Sequence, residues 1–187
     1  NLYTDADSEA QLRLQAASLY CKATLDLLPP AEGPQVMSTV LHEAAHNLGP
    51  AHEYKVKGKT DDEIFGGPMA AMLEELKSQT AALYFADWLA AKGTLTARQR
   101  DEAHVADLTW AFGHIAQGMY TPEGKPKAYS QLASVQVGAL LAAGAVEWRK
   151  DDKAANGTDM GCFEVAPDKL PAAIEALMTR VARIKGG

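Results

Sequence analysis

The chain is poor in cysteine. Cys21 and Cys162 are its only two, far apart in sequence, so neither a disulfide framework nor a CxxC metal pair is encoded and the redox compartment stays open. Basic runs are missing as well: Lys55 to Lys59 and Lys125 to Lys127 are short and broken by Gly or Pro. With 18 Lys+Arg against 24 Asp+Glu, a net charge of −6 and a pI near 5.3, nucleic acid is excluded as a partner. Long apolar runs are absent too. Leu132 to Val146 is the longest, and its Ser, Gln and Gly residues and modest length exclude a membrane-spanning helix and a membrane partner. No internal repeat is visible. The chain opens at Asn1 without an initiator Met or an apolar leader and closes on Lys185-Gly186-Gly187 without an obvious stop signal, which reads as a piece of a longer protein.

What remains is enough for one ordinary domain: 187 residues, 47% hydrophobic and 22% charged, able to bury a core. Ala6 to Leu28 carries apolar residues at helical spacing and is stopped by Pro29-Pro30. The Pro29 to Pro34 segment is a rigid loop, and Gln35 to Leu48 resumes a helix that Gly49-Pro50 ends. Ala51 to Gly67 is polar and Gly-rich, a long surface loop. Pro68 fits a first helical turn, and Met69 to Ala91 has no breaker, with Leu73, Leu76, Leu83 and Trp88 marking one face. Thr96 to Gln99 has capping-box form and opens a helix to about Gly118. Ser130 to Ala143 reads as another helix, Ala145 to Arg149 pairs with Gly161 to Ala166 as a hairpin, and Asp168 and Pro171 start a last helix to Ile184. The fold class expected is mainly α with one small β-hairpin near the C-terminal end.

The chemistry is concentrated in His42-Glu43-Ala44-Ala45-His46, an HExxH motif on an expected helix. Residues four apart sit one turn above each other, so both imidazoles project from one face and suit a single tetrahedral zinc, and Glu43 lies beside them as a general base for water. With five histidines in 187 residues, chance matches to this motif number roughly 0.009.

Two histidines leave a catalytic zinc one protein ligand short. One candidate is His52, since HEAAHNLGPAH satisfies the HExxHxxGxxH pattern of metzincins, with Gly49 as the turn. The other is the Glu74-Glu75 pair on the next long helix, which gives a His₂Glu site. A metzincin helix follows a twisted sheet and precedes a Met-turn, whereas here helix and Pro loop come before and long helices after. Around Glu75 lie Ala71, Ser78 and Ala82, small enough to let a second helix approach closely, so the second-helix Glu fits better.

Three segments resemble one family. HEAAHNLGP (His42 to Pro50), LEELKSQTAALYFADWL (Leu73 to Leu89) and AYSQLASVQVGALLAAGAVEW with CFEVAPDKLPAAIEALM are similar to the zinc helix, the Glu-Glu helix and the closing segments of dipeptidyl peptidase III, in its HExxH-bearing bacterial branch. The resemblance implies a helical zinc-peptidase lobe over 1–187 and peptide-bond hydrolysis by an activated water. It further implies one zinc per chain held by His42, His46 and Glu75, with Glu43 as the catalytic base. Glu74 becomes an outer group orienting a ligand. Gln79 stands where the family usually has an acid, a lost charge that bears on catalytic strength and not on fold. His104, in DEAHVADL, matches a family histidine that stabilises the tetrahedral intermediate, with an exposed helix position as its plain alternative. Family members are longer and two-lobed, so the remaining lobe and a peptide substrate are the partners implied. The rival from another class is a regulatory module that keeps the zinc fold without turnover.

Other residues have simpler readings. His114 packs near Trp110; Trp88, Trp110 and Trp148 are expected to pack in the core; Asp61-Asp62-Glu63 is a solvated loop, not a calcium site; and Tyr54 is a candidate oxyanion donor.

Overall fold

The computed structural model describes residues 6–29, 33–51 and 53–187. His52, the rival third ligand, lies outside the described residues. The order is α1 (Ala6–Leu19), α2 (Lys22–Leu25), α3 (Gly33–His46), α4 (Asp61–Phe65), α5 (Gly67–Ala91), α6 (Ala97–Ala116), α7 (Ala128–Ala142), β1 (Val146–Lys153), β2 (Met160–Val165) and α8 (Leu170–Gly186). This is the mainly helical fold with one antiparallel hairpin, Val146 facing Val165. None of the helices described is long and apolar enough to cross a membrane.

α5 is the central element. Helices α3, α6, α7 and α8 all pack on it, so its middle is buried on every side and not on one face alone. Leu73 and Leu76 pack with Leu132, Leu177 and Val181, while Leu83 joins Leu108, Val137, Leu140 and Ile174. The same enclosure buries its polar residues Glu74, Lys77, Ser78, Gln79 and Thr80. Buried polar groups need partners, and Glu74, Ser78 and Gln79 find theirs in His42 and His46. Trp88 lies past the packed region and is 49% exposed, and Trp148 on β1 is 52% exposed, so neither is the core residue expected.

The first helix is shorter than its sequence suggests. Residues 20–21 leave the helical path because the hairpin captures their backbone: the Cys21 N–H donates to Phe163 O at 3.0 Å, and Tyr20 O accepts from Ala155 N at 2.8 Å. Cys21 is extended and disulfide-bonded to Cys162. The two cysteines are therefore a structural cross-link between the N-terminal helices and β2.

α3 begins with Pro34 in its first turn, where the missing N–H costs nothing. It ends at His46, since Asn47 and Leu48 turn back to Ala44 O and Ala45 O and Gly49 takes φ +65°. The buried Lys77 ammonium reaches the His46 and Leu48 carbonyls at 3.4 and 3.3 Å, placing a cation on orphan acceptors at the negative end of the helix. The loop that follows is not irregular throughout. Thr60 and Glu63 form a capping box that starts α4, and Asp61 in its first turn is buried. Asp61 is thus not the solvated residue expected. The Thr96–Gln99 capping box of α6 forms as its sequence suggests.

Candidate metal centre

α3 and α5 lie side by side, and each places its chemistry on the shared face. From α3, His42 and His46 turn the same edge toward α5, with 3.1 Å between their Nε2 atoms. From α5, Glu75 brings Oε2 to 3.2 Å from His42 Nε2 and 3.8 Å from His46 Nε2. One ligand atom from each of the three residues fits within 4.8 Å.

The outer nitrogens decide what the inner ones present. His42 Nδ1 is 2.9 Å from Gln79 Oε1, an atom that only accepts. His46 Nδ1 is 2.9 Å from Glu74 Oε1 and 3.0 Å from Ser78 Oγ. Both rings therefore carry their proton on Nδ1 and aim an Nε2 lone pair inward. Glu75 Oε2, buried and facing both Nε2 atoms, completes a triangle of acceptors. Such a triangle is repulsive unless a cation or a proton sits within it. The donor set, two imidazoles and a carboxylate, is one that zinc takes, and the residues fit the ion.

Electrostatics follow from the same contacts. Burial opposes charging of His42, but the bond and charge of Glu75 outweigh it and hold its pKa above the ordinary value. The contact with His42 in turn holds Glu75 below the usual carboxylate range, against burial. Burial would raise Glu74, yet bonds from Lys185, Lys77 and His46 bring it down to about 2.

A cavity of about 400 Å³ opens beside this cluster, lined by Ser38, His42, Glu43, Gln79, Asp107, Trp110, His114 and Tyr129 among others. Glu43 faces it from α3, next to His42. Trp110 and His114 form an aromatic wall with ring centroids 4.3 Å apart, as the simpler reading of His114 expected, and Tyr129 stands 5.6 Å from His114.

Three of these residues give little sequence signal. Tyr129, in the first turn of α7, donates its hydroxyl to Glu75; no spacing relates it to HExxH. Asp107 is buried, accepts from Ser38 Oγ at 2.6 Å and also bonds Gln79. Burial pushes it up to about 7 against those bonds. Its signal was a carboxylate on the inward face of an otherwise apolar helical stretch. Ser38, one turn before His42, follows from the same period. Asp107 thus puts an acid behind Gln79, joined to His42 through the Gln79 amide.

The structure brings His42, Glu43, His46 and Glu75 together and does not bring His104 to them. His104 is fully buried two turns of α5 away, with Nε2 3.3 Å from Leu83 O and 3.5 Å from Asp87 Oδ1. Burial lowers its pKa to about 4. The exposed position considered for it is overturned, and it lines no part of the cavity. Tyr54 is exposed and also lies off the cavity.

Fold and site together define a helical lobe that presents two histidines and a carboxylate across a helix pair. No family model and no curated protein sequence matches the chain. Solved structures do. Dipeptidyl-peptidase III from Corallococcus sp. strain EGB superposes with a TM-score of 0.74 at 24% identity, over 93% of this chain and 29% of that one. DPP III from Caldithrix abyssi does so with 0.73 at 20%, over 93% and 30%. The fold is therefore dipeptidyl-peptidase III-like, and the chain spans about three tenths of the length of those two proteins.

Proposed function

We propose that the chain is the metal-binding lobe of a zinc peptidase of the dipeptidyl peptidase III type, in its HExxH branch, cleaving oligopeptides. The observation that carries this reading is the triangle of His42 Nε2, His46 Nε2 and Glu75 Oε2 with its Nδ1 atoms already committed. The likeness in fold to two dipeptidyl-peptidase III structures supports it. Because the chain matches only part of those proteins, a second lobe closing over the cavity belongs to the same proposal.

His42, His46 and Glu75 would hold one zinc. When bound there, the ion makes water more acidic and polarises a peptide carbonyl. The chain's own residues do the rest. The Glu43 carboxylate takes a proton from the attacking water as its oxygen adds to the carbonyl carbon. It returns that proton to the amide nitrogen as the C–N bond breaks, so acid and base are one residue. The Tyr129 hydroxyl, which lines the cavity, turns from Glu75 to donate to the carbonyl oxygen as charge collects on it. Trp110 and His114 exclude water from one wall.

Glu43→Gln in the complete protein tests this. Zinc content is expected to stay at the parent level while peptide hydrolysis falls by about 10²–10⁴-fold. Loss of zinc together with activity would contradict a proton-transfer role for Glu43, and unchanged hydrolysis would contradict the scheme.

A further inference from the structure

A second group of charges lies behind the metal centre, and the scheme above gives it no task. Lys185, in the last turn of α8, is completely buried, and Lys77 is 1% exposed. Lys185 Nζ is 2.8 Å from Glu74 Oε2 and bonds the buried Asp61 of α4. Lys77 Nζ is 2.9 Å from Glu74 Oε1, the atom that also accepts from His46 Nδ1. Two cations and two anions are thus enclosed together, contributed by α4, α5 and α8.

Such a cluster is a poor device for stability alone. Removing paired charges from water costs about what their attraction returns, and well-packed apolar residues of similar volume often do as well. Apolar residues could not aim a carboxylate. A carboxylate held at one oxygen swings about its last side-chain bond, whereas Glu74 is held at both. With Lys185 on Oε2 and Lys77 on Oε1, the Oε1 lone pair stays on His46 Nδ1. That bond fixes the proton on Nδ1 and the Nε2 lone pair toward Glu75.

We propose that Lys185, anchored by Asp61, is a positioning residue for the metal centre, acting through Glu74 on His46. The inference rests on the metal-binding reading above. It couples the seating of α8 and α4 to the ligand geometry on α3, although neither helix contributes a ligand.

The test is metal binding to the whole chain, read by chelator competition with zinc and by the visible absorption of the cobalt-loaded protein. Lys185→Met, close in length and without charge, is expected to weaken metal binding by about 10- to 100-fold and to shift the cobalt bands. Glu74→Gln is expected to do the same, and Lys185→Met added to Glu74→Gln to cost nothing further, because the route through Glu74 is already cut. A variant with a lowered melting temperature but parental affinity and cobalt spectrum would overturn the proposal, as would full additivity of the two substitutions. If Lys185→Met does not fold, Asp61→Asn removes the anchor's charge in a side chain of equal size. It is expected to shift the cobalt bands in the same direction, and an unshifted spectrum overturns the proposal. A parent chain that takes up no metal defeats the metal-centre reading and this inference with it. A parent that binds metal no better than Lys185→Met defeats this inference alone.

Discussion

His42 and His46 meet through their Nε2 atoms at 3.1 Å while the Nδ1 atom of each is held by an acceptor on α5. Two lone pairs pointed at one another beside a buried carboxylate oxygen is an arrangement a protein keeps only where a positive charge belongs. The rest of the site explains how α5 enforces it. Its buried polar residues Glu74, Ser78 and Gln79 all serve the outer edges of the two rings.

Gln79 is the acceptor for His42, so Gln79→Leu removes the group that keeps the ring in register. The dissociation constant for zinc is expected to rise by about 10- to 100-fold, measured by chelator competition. An unchanged constant would show that His42 is oriented by helix packing alone.

Tyr129→Phe keeps the ring in the cavity wall and removes only the hydroxyl. Zinc content should match the parent, since the tyrosine approaches Glu75 from the cavity side and Glu75 keeps its place between the histidines. In the complete protein kcat is expected to fall by about 10²–10³-fold with KM nearly constant. A fall in zinc content, or a change confined to KM, would contradict the role given to Tyr129.

The buried His104 makes a pH signature. Its folded pKa, about 4, lies below the ordinary 6.5, so between those values the unfolded chain binds the proton and the folded chain does not. Stability from this residue is therefore complete above pH 6.5 and lost as pH falls toward about 4, by about 3 kcal/mol at most. Asp87, raised by burial to about 6, and Asp107, raised to about 7, slope the opposite way. The parent curve alone is thus a sum of opposing slopes, and the difference between parent and His104→Gln is the quantity to measure. Urea unfolding from about pH 7 to about pH 4 should show the parent losing stability relative to the variant; parallel curves would contradict the burial argument.

The Cys21–Cys162 bond ties the N-terminal helices to β2. Reduction, or Cys21→Ser with Cys162→Ser, is expected to lower unfolding stability by about 2–5 kcal/mol in a urea titration. Zinc content should not change, because α3 and α5 are held together by their own contacts. An unmoved urea midpoint would contradict the cross-link, and loss of zinc would place the N-terminal helices in the support of the site.

The helical period alone puts His42 and His46 on one face with Glu43 beside them, and the unbroken run from Met69 makes α5 legible. What the period does not show is that α3, α4, α6, α7 and α8 pack around α5, so that Glu74, Lys77 and Gln79, polar enough for a surface, are interior. Asp107 and Tyr129 reach the site only because α6 and α7 fold back on α5, and no short-range pattern records that return. Residues 20–21 have an ordinary helical sequence and lose the helix to hydrogen bonds from a hairpin far along the chain. Asp61 illustrates a different omission. The Thr60-x-x-Glu63 capping box was present in the loop sequence, whereas the Lys185 that buries Asp61 becomes its neighbour only in three dimensions.

Zinc content by elemental analysis of the parent, Glu75→Ala and His52→Ala tests the central claim most directly, because it needs no substrate. About one zinc per chain in the parent and in His52→Ala, with loss in Glu75→Ala, is the expected result. Zinc retained in Glu75→Ala and lost in His52→Ala would contradict the account and move the third ligand to the HExxHxxGxxH pattern.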